Sequence, residues 1–243
     1  MVKYTGKAGG NMTIMEAIKK GMIELKNANI ETPKLKARLL MQFTLNKPRQ
    51  YIIVNDLNGL TVKEENQYFS AIKKMRQGVP LEHITHQREF MKLNFFVNEN
   101  VLIPRQDTEI LVEEVISIAK KTNAKTILDL CTGSGAIAVS LAKYLPNTEI
   151  TAVDISQEAL KVAKKNAISN EVENQITFIS SDLFTNLENQ KFDIIVSNPP
   201  YIKEGVMKEL DKEVKMEPEL ALNGGKDGLY FYRKIVSNAY QYL

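Results

Sequence analysis

The chain has 243 residues, of which 44% are hydrophobic and 25% charged, and its formal net charge is +3 at pH 7. This composition is typical of a globular protein, so it excludes a fibrous or wholly disordered chain and allows one or two domains. No apolar run approaches the roughly 18 residues of a membrane-spanning helix, so we expect no membrane association. Cys131 is the single cysteine, and the chain has no apolar signal-peptide core; we therefore expect a cytoplasmic location.

The N-terminal third is predicted to be helical. Residues 1–11 contain three glycines and two lysines without apolar periodicity, and we interpret them as a tag or a disordered extension. From there, apolar residues recur at helical spacing, with Thr13 as a candidate N-cap, and predict a small helical bundle over residues 12–80. Residues 1–80 carry 14 basic and 6 acidic side chains. Their net charge of +8 fits either an acidic partner or a solvated helical surface.

The remainder of the chain changes pattern twice. Residues 81–107 form a predicted linker, in which apolar residues alternate with polar ones and a turn at residues 98–100 suggests a β-hairpin. Residues 108–243 alternate between helical and strand patterns. The predicted strands are residues 126–130, 149–153, 176–179 and 192–196. This order predicts an α/β fold, with a Rossmann-like, doubly wound parallel sheet.

A glycine-rich loop joins the first of these strands to the following helix. It consists of Cys131, Thr132, Gly133, Ser134 and Gly135. Glycines let a ligand approach the backbone closely, and Asp154 ends the next strand, where a carboxylate can accept hydrogen bonds from ribose hydroxyls. Together they predict a site for an adenosine-type cofactor. A dinucleotide cofactor remains an alternative, because the loop and Ala138 also fit the pattern G-x-G-x-x-A. A second alternative is a turn without a ligand, in which Asp154 caps the following helix.

A second motif follows the last predicted strand. It consists of Asn198, Pro199, Pro200 and Tyr201. The two prolines fix the backbone and prevent a helix, so the loop can hold the Asn198 oxygen, the Pro199 carbonyl and the Tyr201 ring in place. Two acceptors and an aromatic face suit a planar substrate amine, although a proline-rich turn with a packed tyrosine is the structural alternative.

These motifs resemble a known family. Residues 129–135 are similar to the S-adenosylmethionine motif of class I methyltransferases, and residues 198–201 to the signature of enzymes that methylate planar nitrogens. Residues 88–90 and 102–109 resemble the linker of the HemK/PrmC release factor glutamine methyltransferases, as does the segment 217–229. The resemblance covers the chain from about residue 12 to its end.

The resemblance implies methyl transfer from S-adenosylmethionine to the N5 amide nitrogen of the glutamine in the Gly-Gly-Gln motif of class 1 release factors. The residues from Cys131 to Gly135 would surround the methionine part of the cofactor, Asp154 would hold the ribose, and Asp182 and Leu183 would lie beside the adenine. The implied cofactor contacts also include Asn198. The implied catalytic residues are Asn198, Pro199 and Tyr201, and the implied substrate contacts are Asn198, Pro199, Pro200 and Tyr201. We expect no metal, no required nucleic acid and a monomer.

The sequence departs from the family pattern at several points. Cys131 replaces a usual glycine, Gln106 replaces a usual proline, and Leu183 stands where a tryptophan can occur. Family members continue for some tens of residues beyond the position of Leu243, so we expect a sheet lacking its C-terminal strands and impaired stability. Two alternatives remain at this point: a DNA or RNA amino-methyltransferase acting on a flipped base, and a non-catalytic cofactor-binding fragment.

Overall fold

The computed structural model describes residues 12–243, so the expected tag or extension at residues 1–11 lies outside the described residues. The chain divides into two compact units between Thr85 and His86. This boundary falls within the predicted linker at residues 81–107. Each unit has its own hydrophobic core.

The described part of the first unit is helical. Its helices are α1 (Ile14–Asn27), α2 (Pro33–Leu45), α3 (Arg49–Val54), α4 (Val62–Arg76) and α5 (Leu81–Thr85). The predicted cap at Thr13 is confirmed: its hydroxyl accepts the Glu16 N–H, and the Glu16 carboxylate accepts the Thr13 N–H. Thr61 and Glu64 form the same capping box at the start of α4. Each box satisfies backbone donors that a helix N-terminus otherwise leaves unpaired.

The core of the first unit forms where α1, α2 and α4 pack together. Leu25, Leu40 and Ile72 are fully buried there. Tyr68 is buried with them, and its hydroxyl donates a 3.2 Å hydrogen bond to the Ala37 carbonyl. The buried Tyr68 hydroxyl therefore has a hydrogen-bond partner, and the cost of burying an unpaired polar group is avoided.

The second unit begins with a short antiparallel hairpin of β1 (Arg88–Phe90) and β2 (Leu93–Phe95). The hairpin is confirmed, but the predicted turn at residues 98–100 does not connect its strands. The strands are joined at Met91 and Lys92, which both have positive φ angles, 51° and 59°. Two positive φ angles are typical of a type I′ turn, which usually contains Asn-Gly. The Met-Lys pair therefore gave no sequence signal for this turn.

The remaining strands form one parallel sheet with the order β5-β4-β3-β6. Its strands are β3 (Thr126–Leu130), β4 (Glu149–Asp154), β5 (Ile176–Ser180) and β6 (Ile194–Ser197). The α-helices of this unit are α6 (Asp107–Thr122), α7 (Ala136–Tyr144), α8 (Gln157–Ser169) and α9 (Tyr230–Ala239). The order reverses beside β3, because the chain first adds β4 and β5 on one side and then β6 on the other. Such a switch point is where open α/β sheets bind ligands.

Side chains cover both faces of the sheet. Ile127 belongs to a core that includes residues of α6, α7 and α8, whereas Leu128 belongs to a second core on which α9 packs. Alternation of neighbouring residues between two cores is the pattern expected for a strand buried on both faces. The predicted α/β class with a Rossmann-like parallel sheet is confirmed. Within residues 12–243, none of the helices combines the length and the apolar character needed to cross a membrane.

Candidate functional site

A cavity of about 310 Å³ lies at the carboxyl ends of β3, β4 and β6. This volume is within the range of roughly 300–1,000 Å³ that is usual for small-molecule sites. Most of the predicted site residues line it. They are Cys131, Thr132, Gly133, Ser134, Asp154, Asp182, Leu183, Asn198 and Pro200. Gly135, Pro199 and Tyr201 are not among the lining residues.

The glycine loop, residues 131–135, turns sharply between β3 and α7. Cys131, Gly133 and Gly135 all have positive φ angles, of 60°, 56° and 77°. A Cβ atom on Gly133 would meet nothing within 4 Å, whereas one on Gly135 would lie 3.0 Å from the Ala163 Cβ. Gly133 thus leaves open space beside the cavity. Gly135 instead allows close packing against α8, which explains why it does not line the cavity.

Asp154 connects the end of β4 to the glycine loop. One carboxylate oxygen accepts the Gly133 N–H at 2.8 Å, and the other accepts the Ser156 N–H at 2.9 Å. Ser156, not Asp154, is the N-cap of α8. Burial raises the pKa of Asp154, and these backbone hydrogen bonds oppose that shift. Because each carboxylate oxygen has two lone pairs, Asp154 can hold the loop and still accept ribose hydroxyls.

Asp129 lies beneath the glycine loop and is fully buried. Its carboxylate accepts a 2.6 Å hydrogen bond from the Thr132 hydroxyl. Burial raises the pKa of Asp129 to about 7, although the Thr132 hydrogen bond acts in the opposite direction. Burial and the nearby carboxylates, chiefly Asp154, also raise the pKa of the Cys131 thiol to about 12. The thiol therefore stays protonated at neutral pH and is a poor nucleophile.

Asn166 of α8 is a further support of the loop that sequence reasoning missed. The residue is fully buried, and its amide nitrogen donates to the Ser134 carbonyl at 2.8 Å and to the Phe96 carbonyl at 2.9 Å. Its amide oxygen accepts the Phe96 N–H at 2.6 Å. No pattern near Asn166 identifies it, because its partners are 32 and 70 positions away.

The proline loop, residues 198–201, follows β6 and carries the second predicted motif. The Asn198 amide nitrogen donates a 3.2 Å hydrogen bond to the hydroxyl of Thr108 in the first turn of α6. Pro200 is buried, whereas Tyr201 is 54% exposed. The loop therefore presents Asn198 and Pro200 to the cavity and leaves the tyrosine accessible from solvent.

Residues 222–228, the brace, support the proline loop through backbone contacts. The Ile202 N–H donates to the Leu222 carbonyl at 2.9 Å, and the Gly224 N–H donates to the Ile202 carbonyl at 2.8 Å. A Cβ on Gly224 would lie 2.6 Å from the Tyr201 Cα, and one on Gly228 would overlap the Tyr201 carbonyl oxygen. Glycine is thus required for this close backbone approach. The family resemblance of residues 217–229 gave no indication of this contact with the proline loop.

An ion pair links two segments that both contribute to the cavity lining. The Arg105 guanidinium lies 2.5 Å from a carboxylate oxygen of Glu217, and the other oxygen accepts the Ile103 N–H at 2.9 Å. The Glu217 side chain is 2% exposed and that of Arg105 38%. Pro104 and Pro218, beside these residues, line the cavity together with Arg105. The ion pair therefore fixes the spacing of the two segments.

Asp182 and Leu183 line the cavity from the stretch that follows β5. Leu183 is buried, with a positive φ of 50°. The Asp182 carboxylate is 3.6 Å from the Lys234 ammonium of α9. Lys234 also lines the cavity, and it was not among the predicted site residues. The other lining residues without a predicted role are Asn100, Val101, Leu102, Pro104, Thr108, Ala136, Ile137, Ile155, Ser156, Ala159, Ser181, Pro218, Leu220, Ala221, Tyr230 and Phe231.

The cavity residues fit an adenosine-type cofactor. Gly133 leaves room for it, Asp154 offers acceptors for a ribose, and carboxylates favour a cationic group. Among residues 12–243, no group of three or more His, Cys, Asp or Glu side chains is arranged to bind a metal ion.

Two family models match the chain. The model of the methyltransferase small domain matches residues 106–217, and that of the PrmC N-terminal domain matches residues 16–85. The second match ends at Thr85, where the structure also divides into its two units. The two matches thus assign one family domain to each unit.

Similar proteins were found by sequence and by structure. A release factor glutamine methyltransferase of Clostridium acetobutylicum is 41% identical over 229 residues, which are 93% of this chain and 80% of the relative. A second release factor glutamine methyltransferase, from Clostridium botulinum, is 39% identical over 235 residues, which are 96% of this chain and 83% of that relative. The crystal structure of the hMettl16 catalytic domain with a 3′UTR hairpin has a TM-score of 0.53 at 18% identity, over 66% of this chain and 61% of that one. That structural likeness supports the fold alone.

Proposed function

The chain belongs to the release factor glutamine methyltransferase family, and from that membership we propose that it methylates a release factor. The methyl group of S-adenosylmethionine is transferred to the N5 amide nitrogen of the glutamine in the Gly-Gly-Gln motif of a class 1 peptide chain release factor, which supports translation termination. The observation that carries the proposal is Asn198, held on a rigid loop in the wall of a cavity that suits an adenosine-type cofactor.

S-adenosylmethionine supplies an electrophilic methyl group attached to a sulfonium. Residues 131–134, which line the cavity, would contact its methionine part, Asp154 would accept the ribose hydroxyls, and Asp182 and Leu183 would lie at the adenine. Support comes from the hydrogen bond that the Gly133 N–H donates to the Asp154 carboxylate. The cationic sulfonium is also favoured by the carboxylates of the cavity.

The proline loop binds and orients the glutamine amide. The nitrogen of an amide is a weak nucleophile because its lone pair is delocalised into the carbonyl group. The Asn198 oxygen and the Pro199 carbonyl accept its two N–H groups, while Pro200 and the Tyr201 ring confine its plane. The same acceptors stabilise the positive charge that develops on nitrogen during transfer. The extra proton then leaves the product amide to water, so that no strong base is needed beforehand.

The proposal extends to the organisation of the protein. Residues 12–80 are the helical domain, residues 81–107 the linker with its hairpin, and residues 108–243 the S-adenosylmethionine-binding domain. The protein acts as a cytoplasmic monomer on a protein substrate and does not require nucleic acid.

A labelled-methyl transfer assay tests the proposal. Purified release factor is compared with its Gln→Ala variant in the Gly-Gly-Gln motif, and the chain is compared with its Asn198→Ala variant. We expect label on the intact factor only, and far less label with Asn198→Ala although calorimetry still detects cofactor binding.

Other results would contradict this function. Equal labelling of both release factors would exclude the glutamine as the acceptor. Label on DNA or RNA instead would favour the nucleic-acid enzyme. Cofactor binding without any transfer would identify a non-catalytic fragment.

A further inference from the structure

The Asn198 side chain is a carboxamide, with a donor end and an acceptor end. Its nitrogen end faces the Thr108 hydroxyl at 3.2 Å, and its oxygen is then directed away from Thr108. Both residues line the same cavity. The orientation of the amide matters here because a substrate NH₂ group has two donors and needs an acceptor. If the amide were rotated by 180°, its own N–H groups would face those of the substrate.

Thr108 is itself held in place on both sides. Its backbone N–H donates to the Arg105 carbonyl at 3.0 Å, and Arg105 is paired with the buried Glu217. The next residue, Glu109, accepts the Met91 N–H of the hairpin at 2.7 Å. These contacts hold the backbone that carries the Thr108 hydroxyl.

Resting on the proposed function, we propose that Thr108 is a positioning residue that holds the Asn198 nitrogen so that the Asn198 oxygen faces the substrate amide. The hydroxyl acts as an acceptor toward Asn198 and does not contact the reacting atoms. Its contribution is preorganisation: the acceptor is already aligned with the amide N–H groups whose charge grows as the methyl is transferred. Such an effect lowers kcat more than it raises KM.

Thr108→Val tests this role because valine keeps the shape of threonine and removes the hydroxyl. A neutral hydrogen bond of this kind is worth about a threefold to tenfold change in rate. We expect kcat for release factor methylation to fall by that factor, with KM for the factor changed less than twofold and cofactor affinity unchanged. Thr108→Ser, which restores the hydroxyl, should recover most of the lost rate.

Thr122→Val is the matched control. Thr122 ends the same helix, α6, and its hydroxyl donates to the Ile118 carbonyl at an exposed position. We expect no change in kcat for this variant. An unchanged kcat in Thr108→Val, or no recovery in Thr108→Ser, overturns the proposal. Loss of cofactor binding or of folding in Thr108→Val, with the serine variant equally impaired, assigns Thr108 a structural role instead and also overturns it.

A second measurement separates this inference from the proposed function. The side-chain NH₂ signal of Asn198, assigned by its disappearance in Asn198→Ala, reports the hydrogen bond without any substrate. We expect this signal to shift in Thr108→Val but not in Thr122→Val. If the wild-type chain methylates no release factor, the proposed function fails while a shifted signal still supports the positioning role. An unshifted signal overturns that role, whatever the activity.

Discussion

Two walls of one cavity are built by different means. The glycine-loop wall, residues 131–135 with Asp154, is held mainly by groups at the ends of neighbouring strands: Asp129 and Asp154 each accept one hydrogen bond from the loop. Asn166 of α8 adds one hydrogen bond to the Ser134 carbonyl. The proline-loop wall, residues 198–201, is held by partners from distant segments, namely Thr108 and the glycine-containing stretch 222–228.

The difference has a physical origin. Adjacent parallel strands deliver their carboxyl ends to one edge of the sheet, so a carboxylate at the end of a strand reaches the neighbouring loop directly. In the part of the chain that the structure describes, no strand pairs with the outer side of β6. The proline loop that follows β6 therefore needs backbone contacts from segments far along the sequence. We therefore expect the glycine-loop wall to respond to protonation, and the proline-loop wall to respond to steric changes in its distant supports.

The largest expected effect concerns the buried carboxyl under the glycine-loop wall. Burial raises the pKa of Asp129 to about 7, above the value of about 3.9 in an unfolded chain. The native state therefore binds this proton more tightly, and the stability that the proton confers is lost as pH rises through 7. Relative to Asp129→Asn, which cannot titrate, the wild-type free energy of unfolding should fall by roughly 2–3 kcal/mol between pH 5 and pH 8.

Urea unfolding of both proteins at several pH values measures this difference. Asp193→Asn is an opposite-sign control, because backbone hydrogen bonds from Lys125 and Thr126 lower the pKa of Asp193. That carboxylate stabilises the native state at neutral pH and loses its effect only as pH falls toward acid. Parallel pH profiles for wild type and Asp129→Asn would show that the buried carboxyl does not titrate in this range.

The two walls also differ in how far the sequence could predict them. The glycine loop, Asp154 and the residues from Asn198 to Tyr201 are visible because each motif is local and follows a predicted strand. Asn166 and Glu217 were missed as supports, since their contacts join residues 70 and 114 positions apart. No periodicity or turn rule encodes such a pairing. The hairpin turn at residues 91–92 was missed for another reason, since its residues are atypical of the turn they form.

The next effect concerns the brace of the proline-loop wall. Gly228 has a φ of 79°, and a Cβ there would overlap the Tyr201 carbonyl oxygen. Gly228→Ala should displace the proline loop and lower the rate of release factor methylation by about tenfold to a hundredfold. Calorimetry should show unchanged cofactor affinity, because the glycine-loop wall has separate supports. Gly205→Ala is the control: its Cβ would meet nothing within 4 Å, and its activity should equal wild type.

Full activity in Gly228→Ala would show that the backbone contact with Tyr201 is dispensable. Equal loss of cofactor binding and of methylation would show that the two walls move as one, and the distinction between them would fail.

The smallest effect concerns the ion pair between Arg105 and Glu217. Arg105→Ala removes the guanidinium from the buried Glu217 carboxylate, which keeps its hydrogen bond from the Ile103 N–H. Because the guanidinium is 38% exposed, water screens the pair, and we expect a loss of about 1–2 kcal/mol in the free energy of unfolding, less than for a fully buried pair.

Lys161→Ala provides the comparison for this ion pair, since it breaks an exposed pair with Glu158 on α8 at side-chain exposures of 69% and 56%. Its urea midpoint should stay close to that of wild type. If the two variants lose equal stability, the burial of Glu217 does not make its ion pair with Arg105 more stabilising than an exposed pair. A larger loss in Arg105→Ala means that the segments around Pro104 and Pro218 depend on this pair, as a wall supported by distant residues requires.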